Sequence, residues 1–289
     1  MEKRISGTTA LYCLIGTPIG HSGSPAMYNY SFQKLGIDSA YVAFDISIEK
    51  VADTISAFKT LNIKGSNVTM PCKNEVAKFM DELSPAARIV GAVNTIVNDG
   101  GKLTGHITDG SGFVRNLKEH GVDIKNKKIT ILGAGGAATA IQVQCALDGA
   151  KEINIFNIKD DFYKKAEKTI ENILKEVPEC VVNLYDLEDV QNLNEKIAAS
   201  DILVNATHIG MHPNEDQSPI KDASIFRKDL VVSDVVYNPR KTKFLEDAEA
   251  AGCTTVGGIG MLLWQGAEAF KLYTGLEMPA KEVNELYFK

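Results

Sequence analysis

The stretch Lys128-Ile129-Thr130-Ile131-Leu132-Gly133-Ala134-Gly135-Gly136-Ala137-Ala138 decides the fold of this chain. Residues 128–132 form a short apolar run that reads as a strand, and a helical pattern follows from about 136 to 148. Between them, Gly133 to Ala138 match G-x-G-x-x-A in the context that gives the pattern meaning, a strand before and a helix after. Gly133 permits a tight turn, Gly135 lets the backbone approach a pyrophosphate, and Ala138 lets the helix pack close to the sheet. The phosphates then meet unpaired N–H groups and the positive end of the helix dipole. The same turn also suits a β–α connection that binds nothing.

Outward from this turn the rhythm repeats. Residues 152–156, 202–204 and 230–235 are apolar strand cores separated by helical segments, which predicts a doubly wound parallel sheet. In such sheets the end of the second strand meets the ribose of a bound dinucleotide: an acid holds the 2′-hydroxyl of NAD, a basic side chain the 2′-phosphate of NADP. Here that end reads Asn157-Ile158-Lys159-Asp160-Asp161-Phe162. The acid is replaced by Asn157. Lys159 can pair with a 2′-phosphate as a point charge, without arginine's two-pronged geometry. Asp160 can serve a 2′-hydroxyl, or with Asp161 cap the helix that follows. The signals oppose one another, so both NAD and NADP are expected to be used, within about tenfold.

Before residue 110 the texture differs. Residues 11–15, 41–46, 66–70 and 92–97 read as strands, 25–35 and 51–61 as helices, and Asp99-Gly100-Gly101 as a hairpin turn. This describes a mostly parallel sheet with an antiparallel pair near its end. Segments 260–273 and 279–287 are amphipathic helices that can pack back on the first half and make it discontinuous.

Composition bounds the function. The chain has 289 residues, 44% apolar and 24% charged, with a formal net charge of −6, which suits a globular protein of two domains rather than a disordered or fibrous one. No apolar run approaches the roughly 18 residues of a membrane span, and Met1-Glu2-Lys3-Arg4-Ile5-Ser6-Gly7 lacks the apolar core of a secretory leader. No dense basic block is present, so neither nucleic acid nor membrane is an expected partner. Cys13, Cys72, Cys145, Cys180 and Cys253 are scattered and form no C-x-x-C pair, and His208 and His212 are separated by a helix-breaking Gly210. A reduced, cytoplasmic protein without a metal is expected.

Four polar clusters sit at strand ends in the first half: His21-Ser22-Gly23-Ser24-Pro25, Asn67-Val68-Thr69-Met70-Pro71-Cys72-Lys73, Gly91-Ala92-Val93-Asn94-Thr95 and Thr108-Asp109-Gly110. Ligands of open α/β sheets bind at such ends. Each cluster also has a local reading: Ser24 as the N-cap before Pro25, Lys73 as a solvated lysine, Asp109 as a helix cap.

Together with the glycine turn, with Asn205-Ala206-Thr207, Asp234-Val235-Val236-Tyr237, and Gly258-Ile259-Gly260-Met261-Leu262 ahead of Gln265, these motifs make the chain resemble the shikimate dehydrogenase family, most closely its quinate/shikimate dehydrogenase branch. The resemblance covers nearly the whole length. It implies an α/β protein with an N-terminal α/β substrate-binding and catalytic domain from residues 1–111 and 262–289, and a Rossmann NAD(P)-binding domain at 112–261. It implies reversible NAD(P)-linked interconversion of shikimate and 3-dehydroshikimate (the activity EC 1.1.1.25), on the route to chorismate and aromatic amino acids, by a monomer or homodimer. Lys73 and Asp109 would be catalytic. Ser22, Ser24, Thr69, Lys73, Asn94, Asp109, Tyr237 and Gln265 would contact substrate. Gly133, Ala134, Gly135, Gly136, Ala137, Asn157, Ile158, Lys159, Asp160, Asp161, Phe162, Thr207, Val235 and Gly258 would line the cofactor. The chemistry agrees: a lysine beside an aspartate can take the proton that hydride removal leaves behind, and no metal is required. Two departures stand out. Ile107 replaces the family's usual Asn before Thr108-Asp109-Gly110, and Ile158 replaces the arginine common in NADP-specific members. Quinate as a main substrate and a non-catalytic regulator that binds acid and cofactor are the alternatives. Retention of Lys73 and Asp109 argues against the regulator, and the serine and lysine motifs argue against a folate-type dehydrogenase.

Overall fold

A computed structural model describes residues 5–288; Met1 to Arg4, the start of the segment read for a leader, lie outside them. The elements run β1 (Ala10–Gly16), α1 (Ser24–Lys34), β2 (Ser39–Asp45), α2 (Val51–Thr60), β3 (Gly65–Val68), α3 (Lys73–Val76), β4 (Glu82–Leu83), α4 (Pro85–Val90), β5 (Thr95–Asp99) and β6 (Lys102–His106). They continue α5 (Asp109–Glu119), β7 (Lys128–Leu132), α6 (Gly136–Leu147), β8 (Glu152–Asn157), α7 (Asp161–Glu176), β9 (Val181–Asp186), α8 (Val190–Ala198) and β10 (Ile202–Asn205). Then follow β11 (Val231–Asp234), α9 (Lys243–Ala250), β12 (Thr254–Val256), α10 (Gly258–Thr274) and α11 (Ala280–Tyr287). The chain divides into two compact units: the residues up to Thr108 together with those from Gln265 onward, and Asp109–Trp264. The division thus falls after Thr108 and Trp264, where 111/112 and 261/262 were expected, and α10 belongs to both units.

The first unit holds a six-stranded sheet in the order β2-β1-β3-β5-β6-β4. β1 pairs in parallel with β2 and β3, whereas β5 is antiparallel to both β3 and β6. The hairpin turn is Gly100-Gly101, both with positive φ, between Asp99 and its partner Lys102, the conformation that a right-twisted two-residue hairpin requires. Strand β5 starts three residues later than the apolar run suggests, because Gly91 closes α4 in the left-handed conformation and Ala92 to Asn94 serve as a connection.

The C-terminal segment completes this unit. Tyr12, Tyr28, Phe32, Phe270 and Tyr273 form one aromatic cluster between the sheet and α10. Tyr273 lies so close to β3 that a Cβ on Gly65 would stand 2.6 Å from its ring. At the far end, Glu282 of α11 pairs with Lys34 of α1 (2.8 Å) and accepts from the Tyr30 hydroxyl. From Gln265 onward the C-terminal helices therefore pack against the N-terminal sheet and α1, whereas the start of the expected helix 260–273 belongs to the second unit, with Gly260 against Asn116.

The second unit is an all-parallel sheet in the order β12-β11-β10-β7-β8-β9. Read from its other edge this is 3-2-1-4-5-6, the Rossmann order, whose switch point lies between β7 and β10. Its interior strands β7, β8, β10 and β11 are buried on both faces, which is why they show as predominantly apolar runs. Strand β9 was not anticipated from the sequence. It is an edge strand, Val181-Val182-Asn183-Leu184-Tyr185-Asp186, whose side chains are only half-buried, so its pattern is diluted by polar residues. Leu203, Phe156, Leu132 and Val232 pack with Phe244 and Ile197 on one face.

Gly65→Ala is expected to destabilise the protein by about 1–3 kcal/mol, the usual cost of overpacking, since its methyl meets both the Tyr273 ring and the Ile96 carbonyl. Urea unfolding checks this, and the double variant Gly65→Ala/Tyr273→Leu should recover part of the loss.

Candidate active site

In the first unit the polar clusters gather where β1 and β3 end and β5 begins. Thr95 of β5 lies opposite Asn67 of β3 in an antiparallel pair, so the first residues of one strand flank the last of the other. Gly16 ends β1 with φ +147°, and a Cβ there would stand 2.5 Å from Thr69 Cγ2 and 2.9 Å from Met70 O; glycine alone lets the segment after β3 lie this close. Thr69 N–H donates to Ile15 O (2.9 Å), Thr17 N–H to Met70 O (3.1 Å) and Cys72 N–H to Thr69 O (3.0 Å). The segment so folded delivers Lys73, half-buried, as the first residue of α3. The Lys73 carbonyl accepts from Val93 N–H at 2.9 Å, which ties its backbone to the residue before Asn94.

Asn94 is held by a directional chain of hydrogen bonds. The Tyr41 hydroxyl donates to Asn67 Oδ1 (2.8 Å), and Asn67 Nδ2 faces Thr95 Oγ1 (3.3 Å) and the Asn94 carbonyl (3.4 Å). The Thr95 hydroxyl donates to Asn94 Oδ1 (2.9 Å), the Thr108 N–H donates to the same oxygen (2.8 Å), and Asn94 Nδ2 donates to Thr108 Oγ1 (3.0 Å). A backbone carbonyl can only accept and a backbone N–H can only donate, so both amides have one allowed orientation. The Asn94 oxygen is spent inside the protein, and its side chain, with the residue only 4% exposed, can offer an outside group a single N–H. Tyr41 and Asn67 were not anticipated as part of the site. Asn67 stood within a quoted motif, but Tyr41 read only as a strand residue.

Ser22 and Ser24 are both half-buried, and Ser24 N–H donates to Ser22 Oγ (3.2 Å). Ser24 is not the N-cap: α1 begins one residue earlier than the proline suggests, Gly23 takes the cap position, and no side chain caps it. Neither serine hydroxyl is used as a cap. Gln265 opens the C-terminal part of this unit. Its neighbour Gly266 sits against α1, where a Cβ would lie 2.5 Å from Met27 Cε and where Tyr28 OH donates to Gly266 O (3.0 Å). Gln265 is thereby brought to the helix that Ser24 begins. Ile107 is buried, 6% exposed; the apolar replacement is absorbed by packing and leaves Thr108 in its network. Asp109 follows Thr108 directly and opens α5.

In the second unit the glycine turn lies at the switch point. Gly133 has φ +106°, and a Cβ there would stand 2.7 Å from Ala206 O and 3.2 Å from Thr207 Cγ2. Its N–H donates to Phe156 O (2.7 Å), and Gln142, from within α6, donates to its carbonyl (3.1 Å). Ala134 N–H donates to Asn157 Oδ1 at 3.0 Å. Nothing stands near a Cβ on Gly135 or Gly136, and Gly136 and Ala137 are exposed. A diphosphate fits here: an open cradle in front of helix N–H groups that lack intrahelical acceptors.

Asn157, 7% exposed, is thus a brace between strand end and turn. Its Nδ2 donates to Ile158 O (2.7 Å) and Asp160 Oδ1 (2.8 Å). Asp160 Oδ1 also caps α7, accepting from Phe162 N–H (2.9 Å) and Tyr163 N–H (3.1 Å), so the capping alternative is realised. Lys159 turns to Asp186 at 3.3 Å. Ile158 and Phe162 are exposed, and Asp161 is an exposed first residue of α7. Thr207 folds back, its hydroxyl donating to Asn205 Oδ1 (2.7 Å). Gly258 approaches the Val235 carbonyl so closely that a Cβ would meet it at 2.4 Å, while Tyr237 is exposed. Among the described residues no group of three or more His, Cys, Asp and Glu could hold a metal, and no helix is long and apolar enough to cross a membrane.

The model of the shikimate dehydrogenase substrate binding domain matches residues 14–96, and that of the shikimate 5′-dehydrogenase C-terminal domain matches residues 258–286. A shikimate dehydrogenase (NADP(+)) of Listeria monocytogenes is 54% identical over 288 residues, 100% of this chain and 99% of that protein. The crystal structure of shikimate 5-dehydrogenase from Listeria monocytogenes in complex with shikimate and NAD superposes with TM-score 0.95 at 53% identity, covering 99% of each chain. Quinate dehydrogenase from Corynebacterium glutamicum in complex with NAD follows at TM-score 0.85 and 32% identity, over 97% of this chain and 99% of that one.

Beside Val235, Asp234 is 1% exposed and its carboxylate accepts from Asn205 Nδ2 (3.0 Å), Val236 N–H (2.9 Å) and the Thr242 hydroxyl (2.6 Å). Burial outweighs these bonds and pushes its pKa up to about 6 from an ordinary 3.8. Between these values the folded chain keeps a proton that the unfolded chain has lost. The stabilisation is therefore complete below about pH 4 and lost as pH rises through about 6. Unfolding free energies of wild type and Asp234→Asn, compared at pH 4.5 and 7.5, should diverge by about 2–3 kcal/mol in favour of the variant at the higher pH.

Proposed function

The chain belongs to the shikimate dehydrogenase family, and from that premise we propose that it interconverts shikimate and 3-dehydroshikimate with a nicotinamide dinucleotide, its first unit taking the acid and its second the dinucleotide. The carrying observation is the convergence of Thr69, Lys73 and Asn94 where β3 ends and β5 begins, joined by the bond from Val93 N–H to Lys73 O (2.9 Å). Ser22 and Ser24 supply two hydroxyls and an N-terminal helix end for the substrate carboxylate. Thr69 and Gln265 address ring hydroxyls. Asn94, its oxygen already spent, can only donate, so the substrate oxygen it meets must accept.

A nicotinamide dinucleotide, when bound, would supply the hydride chemistry. The chain's own task is the proton. Lys73, approached by the secondary hydroxyl, accepts the proton released as that carbon is oxidised and gives it back in the reverse direction. In its protonated form it steadies the negative charge on the oxygen. Asp109, which follows Thr108 in the chain and opens α5, is the second catalytic residue of this reading. Gly133 to Ala137 would seat the pyrophosphate. Quinate is the second reading, favoured by the likeness to the quinate dehydrogenase fold at TM-score 0.85.

Steady-state rates crossing shikimate and quinate with NAD and NADP test the substrate. Lys73→Ala is expected to lower kcat by about 100-fold or more, the ordinary contribution of a general acid–base, with KM for shikimate within a few-fold. A variant with near-normal kcat would remove Lys73 from the proton path.

A further inference from the structure

We propose that Asp186, at the end of β9, sets the balance between NAD and NADP by holding Lys159 away from a 2′-phosphate and by presenting its own negative charge beside the ribose position. The proposal rests on the reading of the glycine turn as a dinucleotide site. Three observations lead to it. Asp186 is the register partner of Asn157, in the adjoining parallel strand. The strand-end position that carries an acid in NAD-preferring Rossmann proteins is here a neutral amide, fully engaged as a brace. Asp160 is bonded to that amide but its Oδ1 is taken up by the α7 cap, and the next fixed carboxylate, Asp186, lies one strand over, about 5 Å in the sheet direction.

Asp186 is anchored, not a swinging surface acid. Its Oδ1 accepts from Glu188 N–H (3.0 Å), its side chain is only 23% exposed, and Leu187 N–H donates to Asn157 O (3.0 Å) just beyond. The bond from Glu188, with that from Lys159, holds its carboxyl below the usual range, so it is charged at neutral pH. Lys159 is the cation of the 157–162 segment, and it pairs with Asp186 at 3.3 Å while remaining 70% exposed.

An exposed pair of this kind adds little to stability. Its consequence lies in where the charges rest. A 2′-phosphate entering beside the end of β8 would have to draw Lys159 off a fixed carboxylate and then tolerate that carboxylate as a neighbour. A 2′-hydroxyl faces neither cost and can donate to the acid. Asp160, the alternative acid of the loop, has its Oδ1 committed to the α7 cap and to Asn157. Removing Asp160 would disturb the loop as a whole, whereas Asp186→Asn retains an acceptor for Glu188 and deletes only the charge.

The test is equilibrium binding of NADP⁺ and of NAD⁺ to the full chain by titration calorimetry, with kcat/KM measured for each in parallel. Asp186→Asn should tighten NADP⁺ at least fivefold and leave NAD⁺ unchanged or weaker, so that the NADP/NAD ratio rises in both measurements. Lys159→Met introduced into that variant should abolish the gain, because the gain passes through the released lysine. A ratio within twofold of wild type, or equal weakening of both dinucleotides, would overturn the role of Asp186 alone. Failure of the wild-type protein to bind either dinucleotide would overturn the dinucleotide site as well.

Discussion

The architecture depends on the return of α10 to the N-terminal sheet. Tyr273 reaches the backbone of β3 because Gly65 has no side chain, and Gly266 meets Met27 and Tyr28 on α1 for the same reason. Aromatic burial supplies the attraction, and the missing methyls permit the distance. This contact makes one folded unit from two distant parts of the chain. It also carries the backbone at Gln265 to the helix that begins at Ser24, so a packing interaction between apolar groups brings together two polar segments that are far apart in the chain.

The polar residues of the first unit are oriented in a comparably economical way. Backbone groups with only one hydrogen-bonding sense, the Asn94 carbonyl and the Thr108 N–H, determine which way the Asn67 and Asn94 amides face. Tyr41 and Thr95 fill the remaining positions. Such a network is costly to leave half-satisfied, which gives the site rigidity before any ligand arrives. Asn157 does the same for the glycine turn in the second unit, where its side-chain oxygen accepts from Ala134 N–H and braces the turn against the strand end.

Much of this was legible in the residues, for identifiable reasons. Strands β7, β8 and β10 are buried on both faces and so appear as predominantly apolar runs, with Thr130 and Asn154 buried among them. The hairpin at Gly100-Gly101 needs two positive φ angles, and the glycine pair announces it. Edge strand β9 escaped because half its surface meets water, and with it went Asp186, whose importance is positional. Tyr41 escaped because nothing in a strand residue's neighbours says which buried amide it will meet.

The sequence by itself determined the fold class, the place of the glycine turn and the family, because these depend on local periodicity, on glycine at strained or crowded positions, and on motif spacing. Only the tertiary structure decided how the polar residues are used. Asp160 became a cap, Asn157 a brace, Asn94 a pure donor, and Lys159 the partner of an acid 27 positions away on another strand. A hydrogen-bonding group takes whichever partner the fold brings within about 3 Å, and that partner comes from strand order and helix docking, which no local pattern encodes.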